Sequence, residues 1–489
     1  MIYDVAVIGA GVVGSLVARE LSRYQLHICL LEKEEDVAMG ATRANSAIVH
    51  GGFDPIPGSL KARLNVRGTA MMPKLAEELH VPYQNNGSIV IAFSLEEEKK
   101  LAELYERGKE NHVPGLQMLT ADEVLKMEPN LSPNITAALL CKSAGIICPY
   151  ELTVAAVGNA MDNGVDLKTG FEVSNIEEHN GIFILRSADE SVQCRYAINC
   201  AGLFADDVAR LTGETGIAIT PRKGEYLLFD KQAGNMVSHT IFQVPTAAGK
   251  GVLVTPTVDG NLLIGPTSRY TTSKEDRDVT LDGMSEIRNA AAKSITGLPF
   301  KQVIRSFAGL RASVEGDDFI LRPAQKCPRF IHAIGIDSPG LSSAPAIAEK
   351  IVNMLTKIGL SALPKPDFIS ERIPAHAFRE MSIAEKNAVI AKDPRFGHIV
   401  CRCETVTEGE IVAAIHQNPP ARTVDAVKRR TRAGMGRCQS GFCTTYVTEL
   451  LAQELNIPEE NVVKSGPGAY MLVGRTKQQT IGGKHVEKG

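Results

Sequence analysis

Cys401 and Cys403 lie in the run CRCETVTEGEI, and Cys438 and Cys443 lie in RRTRAGMGRCQSGFC. The pattern is C-x-C, 34 intervening residues, then C-x-x-x-x-C. Thiolates paired this closely are metal ligands in waiting, and the two pairs are expected to converge on one centre. A second chemistry-bearing run sits at the other end of the chain. Gly9, Gly11 and Gly14 form G-x-G-x-x-G, and Glu32 comes 23 residues after Gly9. A dinucleotide fingerprint and a thiolate centre in one chain predict that the metal handles electrons rather than only holding a fold together.

The elements around the glycines give the fingerprint its meaning. Residues 2–8, IYDVAVI, read as a buried parallel strand. A helical pattern runs from Val12 to about Tyr24, and the strand HICLLE ends in Glu32. Gly9 allows the tight turn, Gly11 lets a pyrophosphate approach the backbone, and Gly14 lets the helix pack closely on the strand. The helix N-terminus presents N–H groups and the positive end of its dipole to the phosphates. Glu32 accepts hydrogen bonds from ribose hydroxyls and disfavours a 2′-phosphate, which argues against NADP. This unit alone leaves FAD and NAD open.

The segments beyond Glu32 favour FAD. GATRANSAIVHGGFDP reads as a loop and short helix running under a cofactor, and it contains His50. CRYAINCAGLFADDVARL reads strand, turn at Ala201 and Gly202, then helix. FIHAIGIDSPGLSSAPAIAEKIVNML reads strand, Gly/Pro turn, then a helix starting near Ser342. The N-terminal amides of that helix would face an electron-rich ring edge.

The remaining pattern places these pieces. Residues 1–80, 150–210 and 311–358 read as nucleotide-binding sections. Residues 81–149 and 211–310 read as a second, strand-rich domain inserted between them. Residues 359–396 carry Pro364, Pro366, Pro374 and Pro394 and read as a linker. Residues 397–450 form the cysteine domain, and 451–489 are expected to fray.

Composition excludes several classes. The 489 residues carry a formal net charge of −3, which gives nucleic acid no footprint. MIYDVAVIGAG has no basic n-region or cleavage site, and no apolar run reaches the roughly 20 residues of a membrane span. Ten cysteines at this length do not make a disulfide scaffold, so a reducing cytoplasm is expected. Cys29, Cys141, Cys148, Cys194, Cys200 and Cys327 are expected to be buried packing.

Taken together, these segments resemble the D-amino-acid-oxidase-like flavoproteins over about residues 1–450. Within them the chain is most similar to FAD-dependent glycerol-3-phosphate dehydrogenases of the anaerobic type. The resemblance implies an α/β fold. Its parts are a Rossmann-like FAD-binding domain, an inserted antiparallel α+β substrate domain and a small helical C-terminal iron–sulfur domain. It implies FAD contacts at Gly9, Gly11, Gly14, Glu32, Thr42, Asn45, Ser46, Val173 (in the GFEVSNIE strand), Asp337, Gly340, Leu341 and Ser342. Cys401, Cys403, Cys438 and Cys443 resemble the ligand set of a bacterioferritin-associated-ferredoxin-like domain, which holds a 2Fe–2S cluster. A structural zinc site is the alternative, although zinc more often uses C-x-x-C pairs. Lys428, Arg429, Arg430, Arg432 and Arg437 either offset cluster charge or form a solvated face.

For chemistry, His50 is a candidate base or flavin contact. Arg311 matches a position whose guanidinium faces an anionic substrate. Lys223 and Lys250 are weaker anion-binding candidates. Glycerol-3-phosphate dehydrogenases often carry an arginine just after the histidine–glycine segment, whereas here Gly51, Gly52, Phe53 and Asp54 come after His50. L-2-hydroxyglutarate is therefore an alternative substrate, and amino acids such as proline a more remote one. A non-catalytic electron-transfer subunit and a flavin-dependent tRNA-modifying protein are readings of other classes. The resemblance implies companion flavoprotein or iron–sulfur subunits as electron acceptors, some of them membrane-associated, with no direct membrane insertion of this chain.

Overall fold

A computed structural model describes residues 1–245 and 251–474. The chain divides into two compact units, Met1–Ala377 and Phe378–Gly489.

In the first unit, the run IYDVAVI forms the strand Ile2–Ile8, fully buried from Val5 to Val7. It pairs in parallel with Ile28–Leu31 on one side and Ser191–Asn199 on the other. Asp166–Lys168 and Phe330–Ile334 extend this parallel core at its two sides. Strands Asn175–His179 and Ile182–Arg186 add antiparallel to Ser191–Asn199 as a meander. Continuous apolar strands of this kind need cover on both faces. Helices Val12–Leu21, Leu60–Glu78, Pro149–Asp162 and Gly340–Lys357 bury their apolar sides in a common core. Arg19 pins three segments there: Nη2 donates to Glu78 (2.7 Å) and to the Ser370 carbonyl (3.1 Å), and Nε donates to Asn159 (2.9 Å).

A nine-stranded sheet forms the second layer. Its spine is the long antiparallel pair Ile219–Phe229 with Val303–Val314. Residues 81–149 and 211–310 meet within this one sheet, because Ser88–Ala92 pairs with Thr240–Gln243. That pair is parallel, a local exception to the antiparallel expectation.

Three expectations change. Residues 360–372 are not a free linker: Gln25 and Lys365 exchange backbone hydrogen bonds with Leu363 and Arg23, and Arg372 N donates to the Glu78 carbonyl. Ile383–Lys392 is a helix whose capping box joins Ser382 and Glu385. Residues 451–474 do not fray: the helix Thr444–Leu455 runs through Leu450, and Val462 is buried. Val424 N then donates to the Val463 carbonyl, tying that segment to the helix Val424–Thr431.

Candidate active site and metal centre

A cavity of about 1240 Å³ runs through the first unit. It exceeds the roughly 300–1,000 Å³ of a typical small-ligand site. Gly9, Gly11, Glu32, Thr42, Asn45, Ser46, His50, Val173, Ala201, Gly202, Arg311, Asp337, Gly340 and Leu341 all line it.

The glycine turn is tight for a physical reason. Gly9 has φ +102°, and a Cβ there would lie 2.5 Å from the Cys200 carbonyl oxygen. A Cβ on Gly14 would lie 1.9 Å from the Gly9 carbonyl oxygen, so only glycine lets the helix sit on its strand. Gly14 therefore acts by packing and does not line the cavity. Val12 N–H donates to Thr42 Oγ1 (3.0 Å), which ties the helix start to the loop below. Asn45 staples that loop: its Nδ2 donates to the Thr42 carbonyl (2.8 Å), and its Oδ1 accepts from Ala47 N (2.8 Å).

Glu32 is buried and accepts from Ala10 N (2.7 Å) and Glu34 N (3.0 Å). Burial pushes its carboxyl up to about 7, against the pull of those two amides. Val173 lies in the segment just before the strand Asn175–His179, not within a strand.

At the far end, the helix Gly340–Lys357 begins two residues earlier than its apolar pattern predicts. Ser342 is fully buried, and its Oγ accepts from His50 N (2.7 Å). The His50 carbonyl accepts from Asn65 Nδ2 (2.5 Å) and Thr69 Oγ1 (2.7 Å). The His50 backbone is thus held from both sides, and its ring packs on Phe242 at 5.7 Å between centroids. Ser342 serves this end by positioning His50.

The strands Ile219–Phe229 and Val303–Val314 deliver Arg222, Tyr226 and Arg311 to the cavity wall. Arg311 faces Arg222 across them, and Gly224 faces Gly309. A Cβ on Gly224 would lie 2.9 Å from Arg311 Nη2, so the guanidinium rests where a side chain is missing. A Cβ on Gly309 would lie 1.9 Å from the Ala44 carbonyl oxygen, so the same strand presses on the cofactor loop. Arg311 Nη1 is buried and makes no hydrogen bond within the protein. A buried guanidinium donor without a partner carries a desolvation penalty that an anionic ligand relieves.

Several groups here have no local signal in the sequence. Lys61 is buried and pairs with Asp337 (2.8 Å) and Asp317 (2.7 Å). Asp337 also accepts from Ser313 Oγ (2.9 Å) and pairs with Arg222 (3.4 Å). Tyr226 stacks on Phe307 at 4.8 Å and reaches Ser46 Oγ at 3.2 Å. Lys223, expected as an anion contact, instead pairs with Asp276 (2.8 Å) and does not line the cavity. Lys250 lies outside the described residues. The missing arginine after His50 has a steric explanation. A Cβ on Gly51 would lie 2.2 Å from Cys141 Sγ, and one on Gly52 would lie 2.6 Å from Val66.

In the second unit the four cysteines come together. Sγ of Cys403 lies 3.9 Å from Cys401 and 3.7 Å from Cys438, and Cys443 shares the buried side of the group with Cys401. Among the described residues, the ligand atoms gathered within 4.8 Å of one another are those of Cys148, Glu151 and Asp259, elsewhere in the chain. Four cysteines gathered as a C-x-C pair and a C-x-x-x-x-C pair are the ligand set that a 2Fe–2S cluster requires. Gly434 N–H donates to Cys401 Sγ (3.5 Å), and a Cβ on Gly436 would lie 2.5 Å from Cys403 Sγ. Burial and crowding push Cys403 up to about 11, so loading metal displaces its proton. Arg429, Arg430 and Arg432 are each 5% exposed, which overturns the solvated-face reading for these three; Arg437 remains exposed. Arg432 pairs with the buried Glu404 at 3.0 Å.

Comparison with known proteins agrees with this geometry. A family model described as FAD dependent oxidoreductase matches residues 4–354, and one described as BFD-like 2Fe-2S binding domain matches residues 399–453. The chain is 48% identical over 477 residues to a protein described as glycerol 3-phosphate dehydrogenase from Caloramator mitchellensis, covering 98% of this chain and 99% of that one. The solved structure of dithionite-reduced L-alpha-glycerophosphate oxidase from Mycoplasma pneumoniae with FAD bound superposes with a TM-score of 0.73 at 32% identity, over 76% of this chain and 99% of that one. Human mitochondrial L-2-hydroxyglutarate dehydrogenase is 32% identical over 54% of this chain and 60% of its own length. The chain belongs to the FAD-dependent oxidoreductase family, and its cofactors are FAD and a 2Fe–2S cluster.

Proposed function

We propose that this protein oxidises sn-glycerol 3-phosphate to dihydroxyacetone phosphate and exports the electrons one at a time to a partner subunit. The observation that carries the substrate reading is Arg311, whose buried Nη1 is unbonded at the cavity wall. A phosphate dianion supplies the acceptors that this fork lacks. The near full-length similarity to a glycerol 3-phosphate dehydrogenase supports the same substrate. FAD held along the glycine-turn end of the cavity would supply a hydride acceptor, and a 2Fe–2S cluster on Cys401, Cys403, Cys438 and Cys443 would supply a one-electron acceptor.

The chain's own residues do the rest. His50 accepts the hydroxyl proton as the carbonyl forms, its ring aimed by Ser342, Asn65 and Thr69 through its backbone. Phe242, Tyr226 and Leu253 give the cavity an apolar wall that limits water. Gly9, Gly11, Thr42, Asn45, Ser46 and Glu32 hold the dinucleotide, and Ala201, Gly202, Val173, Gly340 and Leu341 close over it. Asp337 is engaged by Lys61 and Arg222, so it acts as a charged brace of the flavin turn.

L-2-hydroxyglutarate is kept as the second reading, because an arginine fork also suits a carboxylate and the arginine after His50 is missing. Anaerobic flavin absorbance separates the readings. Bleaching by glycerol 3-phosphate is expected. Bleaching by L-2-hydroxyglutarate alone transfers the site to the hydroxy acid, and bleaching by neither leaves an electron-transfer subunit. Arg311→Ala is expected to raise KM for glycerol 3-phosphate about 10- to 100-fold, the scale of a charge-assisted hydrogen bond, with FAD content unchanged. An unaltered KM refutes the role of Arg311.

A further inference from the structure

We infer that electrons leave the 2Fe–2S centre at its Cys403–Cys438 edge, and that Arg402 and Arg437 beside those two ligands, with Phe442 in the Cys438–Cys443 loop, form the docking patch for an acidic one-electron carrier protein. This rests on the relay reading above and adds the exit edge and the chemistry of the acceptor.

The four ligands differ in exposure. Cys401 and Cys443 are 1% and 3% exposed and belong to the unit's apolar core. Cys403 and Cys438 are only partly buried, and their sulfurs are 3.7 Å apart. One edge of the centre is therefore sealed, and the other is open to solvent. Electron transfer falls steeply with distance, so a carrier protein gains most by docking on the open edge.

The covalent neighbours of the ligands decide what docks. Arg402 stands between Cys401 and Cys403, Arg437 precedes Cys438, and Phe442 precedes Cys443. Each lies one Cα step, about 3.8 Å, from a ligand. Arg402, Arg437 and Gly441 are exposed. Phe442 is 87% exposed, the most exposed aromatic side chain among the described residues. The arginines nearest in sequence, Arg429, Arg430 and Arg432, are buried and take no part in this surface. Gly441 N donates to the Cys438 carbonyl (3.0 Å), so the presented phenylalanine belongs to the turn that follows Arg437 and Cys438, and it adds an apolar anchor to the two exposed cations. Redox encounters use small interfaces of this kind, steered by charge. Charge complementarity selects an acidic partner. In the transfer, the reduced centre gives up one electron to the carrier's oxidised cofactor and returns to its oxidised form; no bond breaks and no proton moves.

The test uses the full-length holoprotein reduced with dithionite, so its outcome is independent of which substrate the flavin site oxidises. The probes are flavodoxin, which is acidic, cytochrome c, which is basic, and phosphatidylglycerol vesicles. Calorimetry is expected to show flavodoxin binding that weakens about tenfold between low and physiological salt. The R402E/R437E double variant is expected to raise Kd at least about tenfold and to slow cluster reoxidation in parallel, with the cluster's visible absorbance unchanged. F442S is expected to raise Kd several-fold. Failure of flavodoxin to bind, a Kd that ignores both salt and R402E/R437E, or tighter binding to cytochrome c overturns the proposal. Vesicle binding that the variants abolish, with flavodoxin unaffected, assigns the patch to an anionic membrane instead.

Discussion

Glu32 shows how one side chain can serve two states. Without a dinucleotide it is a buried carboxyl raised to about 7, with two backbone amides as its donors. Its folded-state value lies above its unfolded value. Its contribution to stability is therefore full below the ordinary carboxylate range and is lost as pH rises through about 7. The size is on the order of 3 kcal/mol. The Tm of FAD-free protein is expected to fall between pH 5 and pH 8, and Glu32→Gln should flatten that slope. The same variant should weaken FAD binding at pH 8 about tenfold, because ribose hydroxyls lose a charged acceptor. Identical Tm slopes for the two proteins would remove Glu32 as the titrating group. Glu32 is legible in the sequence because its spacing from Gly9 is fixed by one strand–helix–strand unit. Lys61 and Tyr226 are not, because their partners Asp337 and Ser46 come from distant segments that only the fold brings close. Lys223 misleads for the matching reason: its Asp276 partner sits 2.8 Å away through a turn that the sequence does not announce.

At the scale of elements, the facing glycines of the long strand pair couple the two layers of the first unit. Gly224 leaves the space that Arg311 occupies, and Gly309 leaves the space that the Ala44 carbonyl occupies. The strand that carries Arg311 thus also braces the loop that carries Thr42, Asn45 and Ser46. Gly309→Ala puts a methyl 1.9 Å from a backbone oxygen, and neither backbone can yield without moving. Overpacking of this type costs about 1–3 kcal/mol. The expected result is loss of most bound FAD on gel filtration, with the cluster absorbance of the second unit retained. Full FAD retention would show that the loop holds its position without the strand. The fold of these elements is largely readable, since buried strands announce themselves as apolar runs between turns. The helix Ile383–Lys392 escapes such a reading because four prolines in 359–396 outweigh a single capping box, Ser382 to Glu385, which is its one clear local signal. The parallel pairing of Ser88–Ala92 with Thr240–Gln243 is invisible to any local pattern.

At the scale of the whole molecule, two cofactors are held by two separately organised units. The glycine turn, the helix Leu60–Glu78 and the helix Gly340–Lys357 share one core, while Cys401 and Cys443 sit in another with Ile411, Val427 and Leu451. The residues lining the dinucleotide cavity all belong to the first unit. Removing the cluster should therefore stop electron export without touching flavin reduction. Cys401→Ser with Cys438→Ser leaves two thiolates, too few for a 2Fe–2S cluster. It also takes the sulfur of Cys401 from a core in which that residue is 1% exposed. Iron content and the cluster's visible bands should disappear, and the second unit should unfold at a lower temperature, because metal binding contributes to its folding. FAD content should stay at wild-type level. In an anaerobic cuvette, glycerol 3-phosphate should still bleach the flavin, while reduction of flavodoxin by substrate should fall by at least about tenfold, the step that the missing relay controls. Retained iron would defeat the four-cysteine ligand set. Retained flavodoxin reduction without iron would mean that the flavin delivers electrons directly, and the second unit would then need a role other than relay.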